Sequence, residues 1–114
     1  MKIVIKKGGL LWWKKFHFTV VANNGEPIGR SRKFLTEGKA YFAIAQLKEF
    51  FETGLGLYCE MTVNLTIDQP YHFKVLNEER DVLLWSENYH NRLDCLDTYN
   101  SIVRQFSRAE IVTF

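Results

Sequence analysis

The feature that most limits how this chain can fold is that its second half repeats the pattern of its first. A shift of 55 residues, with no gap, lays Phe16-His17-Phe18-Thr19-Val20-Val21 on Tyr71-His72-Phe73-Lys74-Val75-Leu76. The same shift pairs Ile28 with Leu83, Ser31 with Ser86 and Phe34 with Tyr89. Across residues 16–34, outright identities are confined to His17, Phe18, Val20 and Ser31. What repeats is the period, and the place where it changes. Phe16, Phe18 and Val20 alternate, as do Tyr71, Phe73 and Val75, which puts each set on one face of a strand. Ala40, Ile44, Leu47 and Phe51 then recur at helical spacing, matched by Cys95, Tyr99, Ile102 and Phe106.

Residues at the boundaries carry the same message. Asn23-Asn24-Gly25 supplies a hairpin turn between strands 16–22 and 27–32, and Asn77 to Asp81 forms a looser polar turn at the matching place. Thr36 and Asn91 are good helix N-caps, since their side-chain oxygens accept the free N–H groups of a first turn. Asp94 adds a favourable charge at the second of these, and Gly54 and Gly56 stop the first helix. Residues 2–7 read as a strand. Met61, Val63, Leu65 and Ile67 alternate through another, stopped by Asp68-Gln69-Pro70, and Ile111 to Phe114 read as a short last strand.

Neither unit alone shelters its helical stripe from water. The pattern therefore predicts an α+β fold with two tandem strand-strand-strand-helix-strand repeats, about 1–57 and 58–114, in a single domain. They are expected to share one antiparallel sheet with both helices on one face. The other face is left to solvent or a partner.

The repeat resembles that of the YegP-like family, small bacterial proteins of unknown function. The residues that carry the likeness are Phe16-His17-Phe18, Ile28-Gly29-Arg30-Ser31-Arg32-Lys33-Phe34 and Ala40 with Ile44. In the second copy they are Tyr71-His72-Phe73, Leu83-Leu84-Trp85-Ser86-Glu87-Asn88-Tyr89 and Cys95 with Tyr99. The resemblance implies tandem or dimeric β3-α-β units in one sheet, with terminal strands exchanged between units. It implies no activity, cofactor or substrate. The chain departs from the pattern at Lys33 and Asn88, where the family commonly has glycine, and its segment 8–15 is longer than the family's first hairpin.

Composition narrows the classes further. A chain of 114 residues, 46% hydrophobic and 15% aromatic, can bury a core without staples. Cys59 and Cys95 have neither CxxC spacing nor a neighbouring histidine pair, so both read as reduced packing residues. The amino-terminal residues lack a signal peptide's apolar run, and no stretch reaches the ~18 apolar residues of a membrane span, so a cytoplasmic location is expected. Charge is uneven: residues 1–57 hold ten Lys/Arg against four Asp/Glu, and residues 58–114 hold five against nine. Such polarity steers acidic partners or stacks copies head to tail.

No coherent catalytic set is present, so the chain reads as non-enzymatic, with no cofactor or metal. Ser31 and Ser86 recur without a Gly-x-Ser-x-Gly setting or an adjacent base; hydroxyls that end a strand by bonding backbone are the better account. Glu78-Glu79 and Asp94 with Asp97 read as solvated charge. His17 and His72 face away from the core at equivalent positions, yet two ligands make a poor metal site. Trp12, Trp13 and Trp85 are candidate partner-binding residues in a module that self-associates as a homodimer or binds a protein through its open sheet face. The alternative is weak, sequence-tolerant nucleic-acid binding. In that reading Lys6, Lys7, Lys14, Lys15, Arg30 and Arg32 hold phosphates while an exposed indole stacks a base.

Overall fold

The computed structural model describes residues 1–8 and 15–113. The chain runs β1 (Lys2–Gly8), β2 (Lys15–Val21), β3 (Pro27–Ser31), α1 (Glu37–Thr53), β4 (Tyr58–Val63), β5 (Tyr71–Leu76), β6 (Val82–Ser86), α2 (Arg92–Gln105), a single 3₁₀ turn (Phe106–Arg108) and β7 (Glu110–Thr113). Among the described residues seven strands form one sheet in the order β4-β5-β6-β3-β2-β1-β7. It is mixed rather than wholly antiparallel as expected, because β7 runs parallel to β1, with Ile3 beside Ile111. A strand that leaves a helix on one side of the sheet can return to the far edge in either direction. Local pattern does not choose between them.

Helix α1 begins where Thr36 Oγ1 accepts the Lys39 N–H at 3.1 Å, and α2 where Asn91 Oδ1 accepts the Asp94 N–H at 2.9 Å. Gly54, at φ 76°, closes α1 by donating its N–H to the Phe50 carbonyl. The stripe of α1 predicted from periodicity is buried throughout, as are Cys95, Ile102 and Phe106 of the second. One hydrophobic core draws on both helices and on a single face of the sheet, through Ile3, Ile5, Phe18, Val20, Phe73, Val75 and Leu84. Both helices therefore cover the same side. Aromatic contacts join the halves, with Phe51 and Phe106 rings 5.1 Å apart.

Strands β3 and β6 meet in the middle, where Gly29 lies beside Ser86, Arg30 beside Trp85 and Ser31 beside Leu84. Since Trp85 stands 55 residues after Arg30, this ladder has a local pseudo-twofold through that pair. The register shifts between Val20 and Val21 and again between Val75 and Leu76, leaving Ile28 and Leu83 as extra residues. In the second half the bulge turns two successive side chains toward the core, which is why Leu83 and Leu84 are both buried.

The strand expected to run through Leu65 and Ile67 ends at Val63. Asn64 stops it: its N–H donates to the Pro70 carbonyl, and its Oδ1 accepts both the N–H and the hydroxyl of Thr66. Leu65 is 84% exposed, so its apolar character was a false strand signal. The last strand spans Glu110–Thr113, and Phe114 lies outside the described residues.

Candidate functional site

With the helices on one side, the other side carries every second residue of each strand. Neighbour pairing threads one row across all seven strands: Glu60, Lys74, Trp85, Arg30, Thr19, Val4 and Val112. Lys6 pairs with His17, and Gly8 with Lys15, so Lys6, His17 and Lys15 project from this open face too. Lys7 has the opposite parity, opposite Phe16, and its side chain leaves from the helix side.

A depression of about 790 Å³ opens on the basic half of this face. Trp85 and Arg30 border it, and His17, Arg32, Lys33 and Arg80 complete its lining. Trp85 is half-buried, and Arg30 is exposed. Arg32 Nη1 lies 3.6 Å from Asp81 Oδ2 and its guanidinium sits 5.9 Å from the centre of the Phe34 ring. Arg80 bonds Glu60 at 3.0 Å. Among the described residues Arg30 and Lys33 have no carboxylate partner. Charge in the depression is thus net positive, and two of its cations are available to an anion.

His17 keeps its imidazole neutral more readily than a free histidine: partial burial, then Lys6 and Lys33, push its pKa down. His72, on the other side of the pseudo-twofold, is pushed down by burial and by Lys74, and its Nδ1 is buried without a partner. Among the described residues no group of three or more His, Cys, Asp or Glu side chains is gathered to hold a metal ion.

Arg80 was not among the residues singled out from sequence. It has φ 66°, a left-handed conformation that costs a residue with a Cβ roughly 1–2 kcal/mol. Its turn repeats that of Gly25. Gly25 N–H donates to the Ala22 carbonyl and Ala22 N–H to the Glu26 carbonyl; 55 residues on, Arg80 bonds Asn77 and Asn77 bonds Asp81 in the same way. The signal was available: an arginine stands where the matching turn has glycine. In the first hairpin only Gly25, not Asn23 or Asn24, takes a positive φ, and neither Lys33 nor Asn88 does.

The recurring serines are structural. Ser31 Oγ accepts the Phe18 N–H at 2.8 Å and donates to the Arg32 carbonyl at 2.7 Å. Ser86 Oγ does the same with Phe73 and Glu87, at 2.9 and 2.8 Å. Each hydroxyl closes its strand end, as the sequence led us to expect, and its proton is committed to a backbone carbonyl. Cys59 and Cys95 are free thiols. Cys59 is at the surface and Cys95 is buried; desolvation by its neighbours pushes the Cys59 thiol up to about 11, and burial with Cys59 beside it pushes Tyr99 up to about 12.

Of the predicted site residues, Lys6, Lys15, Arg30, Arg32 and Trp85 share the open face or its rim, while Lys7 does not. Trp12, Trp13 and Lys14 lie outside the described residues. A second depression, of about 320 Å³, flanks the other side of the Arg30–Trp85 pair and holds His72, Glu87 and Asn88. Glu87 and Asn88 stand 55 residues after Arg32 and Lys33, so the two depressions have corresponding residues and differ in size and charge. Among the described residues no helix is long and apolar enough to cross a membrane.

No protein-family model matches the chain, and no curated protein does. Two solved structures match over 98% of its length. The solution NMR structure of UPF0339 protein SO3888 from Shewanella oneidensis superposes with a TM-score of 0.80 over 89% of that chain, at 16% identity. That of yegP from E. coli, a protein of unknown function, gives 0.81 over 90%, at 15% identity. The likeness is one of fold. It meets the resemblance to the YegP-like family drawn from the aromatic and serine positions.

Proposed function

We propose that the chain is one domain of two repeats acting as a non-enzymatic binding module, with the open sheet face as its working surface. The observation that carries this is the row from Glu60 to Val112, uncovered by either helix, with Trp85 set among cations. A hydrophobic partner surface would be richer in apolar groups; here Arg30, Lys74, Lys6 and Lys15 would all have to lose water. The partner favoured by this chemistry is a single-stranded nucleic acid laid over the basic half, its phosphates near the cations. Titration with a short single-stranded RNA at two salt concentrations tests it. Binding at low salt that weakens as salt rises is the expected result; no binding at low salt, or binding that ignores salt, refutes it.

A second reading, a protein or second-copy partner, draws on the inverted charge of the two halves. Two open faces related by a twofold would set the Glu87 side of one copy against the Arg32 side of the other. Light scattering across micromolar concentrations reads this directly, and a strict monomer excludes the homodimer.

A further inference from the structure

The two depressions beside the Arg30–Trp85 pair come from equivalent strands, yet only one is equipped to hold an anion. Around the first stand Arg30, Arg32 and Lys33, opposed among the described residues by Asp81 alone. Around the second, Arg32 and Lys33 are replaced by Glu87 and Asn88. A phosphate brought to the first gains charge-assisted hydrogen bonds, and at the second it meets a carboxylate. Trp85 adds a planar surface. It borders both depressions, and its cross-strand neighbour Arg30 is roughly 5 Å away at the Cβ atoms. A ring lying on the indole therefore places any phosphate attached to it within reach of Arg30.

We propose that the basic depression is a subsite for one nucleotide unit. Its base stacks on Trp85 and its phosphate lies among Arg30, Arg32 and Lys33. The pseudo-equivalent depression is kept empty by Glu87, so each chain takes one such unit on this face. The proposal rests on the open face being a nucleic-acid surface and adds the contact point, the ligand unit and the stoichiometry. Thr19 borders the same depression and offers a hydroxyl that can both donate and accept.

The test uses the full chain, a labelled uridine pentanucleotide, uridine monophosphate, uridine and inorganic phosphate at low salt. The pentanucleotide and the monophosphate are expected to shift the Trp85 indole N–H resonance, with uridine and phosphate each binding more weakly than the monophosphate. Trp85→Leu is expected to weaken pentanucleotide binding roughly 5- to 150-fold, the range that base stacking on an aromatic spans. Because Trp85 is half-buried, Arg32→Gln, at a partly exposed side chain, is the second variant, with its fold checked by the amide spectrum; it too must weaken binding. The double variant Glu87→Arg/Asn88→Lys is expected to raise the monophosphate stoichiometry from one to two. Pentanucleotide binding that neither Trp85→Leu nor Arg32→Gln alters overturns the subsite and leaves the nucleic-acid reading standing. Binding of the monophosphate without the pentanucleotide does the reverse. Absence of binding by both overturns the two together.

Discussion

At the scale of single residues, Arg80 shows how a local cost marks a place of interest. Its turn is closed by the same two backbone hydrogen bonds as the turn at Gly25, so the left-handed angle is set by the hairpin and not by the side chain. The arginine accepts strain that glycine would avoid, and in return places a guanidinium at 3.0 Å from Glu60, on the rim of the basic depression. That ion pair is exposed and contributes at most about 1 kcal/mol. Backbone and side-chain effects separate cleanly with two variants. Arg80→Ala loses the ion pair and keeps the strain, whereas Arg80→Gly loses both. The glycine variant is expected to be the more stable of the two by about 1 kcal/mol, read from urea midpoints at equal m-value. Equal midpoints would show that the turn relaxes when the arginine is removed.

At the scale of elements, the strands and helices were largely legible because each obeys a local rule. Alternation at Phe16, Phe18 and Val20 marked β2, and helical spacing from Ala40 to Phe51 marked α1. Thr36 and Asn91 marked both helix starts. What escaped was set by partners distant in sequence. No local signal makes β7 parallel to β1, and the alternation through Leu65 could not reveal that Asn64 captures the backbone first. The depression was equally hidden, since it gathers residues from β2, β3, β6 and the turn before β6. The β3–β6 junction at its floor depends on Gly29, which has an ordinary φ and is needed for space. A Cβ there would lie 3.3 Å from both Leu84 Cδ1 and the Trp85 carbonyl oxygen, and 3.7 Å from Val20 Cβ. The leucine can shift; the carbonyl, tied into the ladder, yields less. Gly29→Ala is therefore expected to cost roughly 1–3 kcal/mol as an overpacking change, measured by chemical denaturation. An unchanged midpoint would mean that β3 and β6 part freely at the pseudo-twofold.

For the molecule as a whole, the central question is whether the two halves are stable separately or only together. Among the described residues each half carries an amphipathic helix, with three strands in the first and four in the second, but the packing does not stay within halves. Strand β7, from the end of the chain, pairs with β1 at its start. Phe51 of α1 packs on Phe106 and, at 6.3 Å, on Tyr99 of the second half. Phe106 is wholly buried, at the point where α2 passes into the 3₁₀ turn that touches α1. Truncating it removes a large apolar side chain from a core that both helices share, and Phe106→Ala is expected to cost about 3–5 kcal/mol. If the halves are one cooperative unit, that loss appears equally everywhere. Native-state hydrogen exchange at the Phe18 amide, in the first half, should lose as much protection as that at the Phe73 amide, in the second. Both amides donate to buried serines in matching geometry, so they are fair reporters of their own halves. A loss confined to Phe73 would mean that the first half keeps its own stability, and that the shared core is a contact between two independent folds.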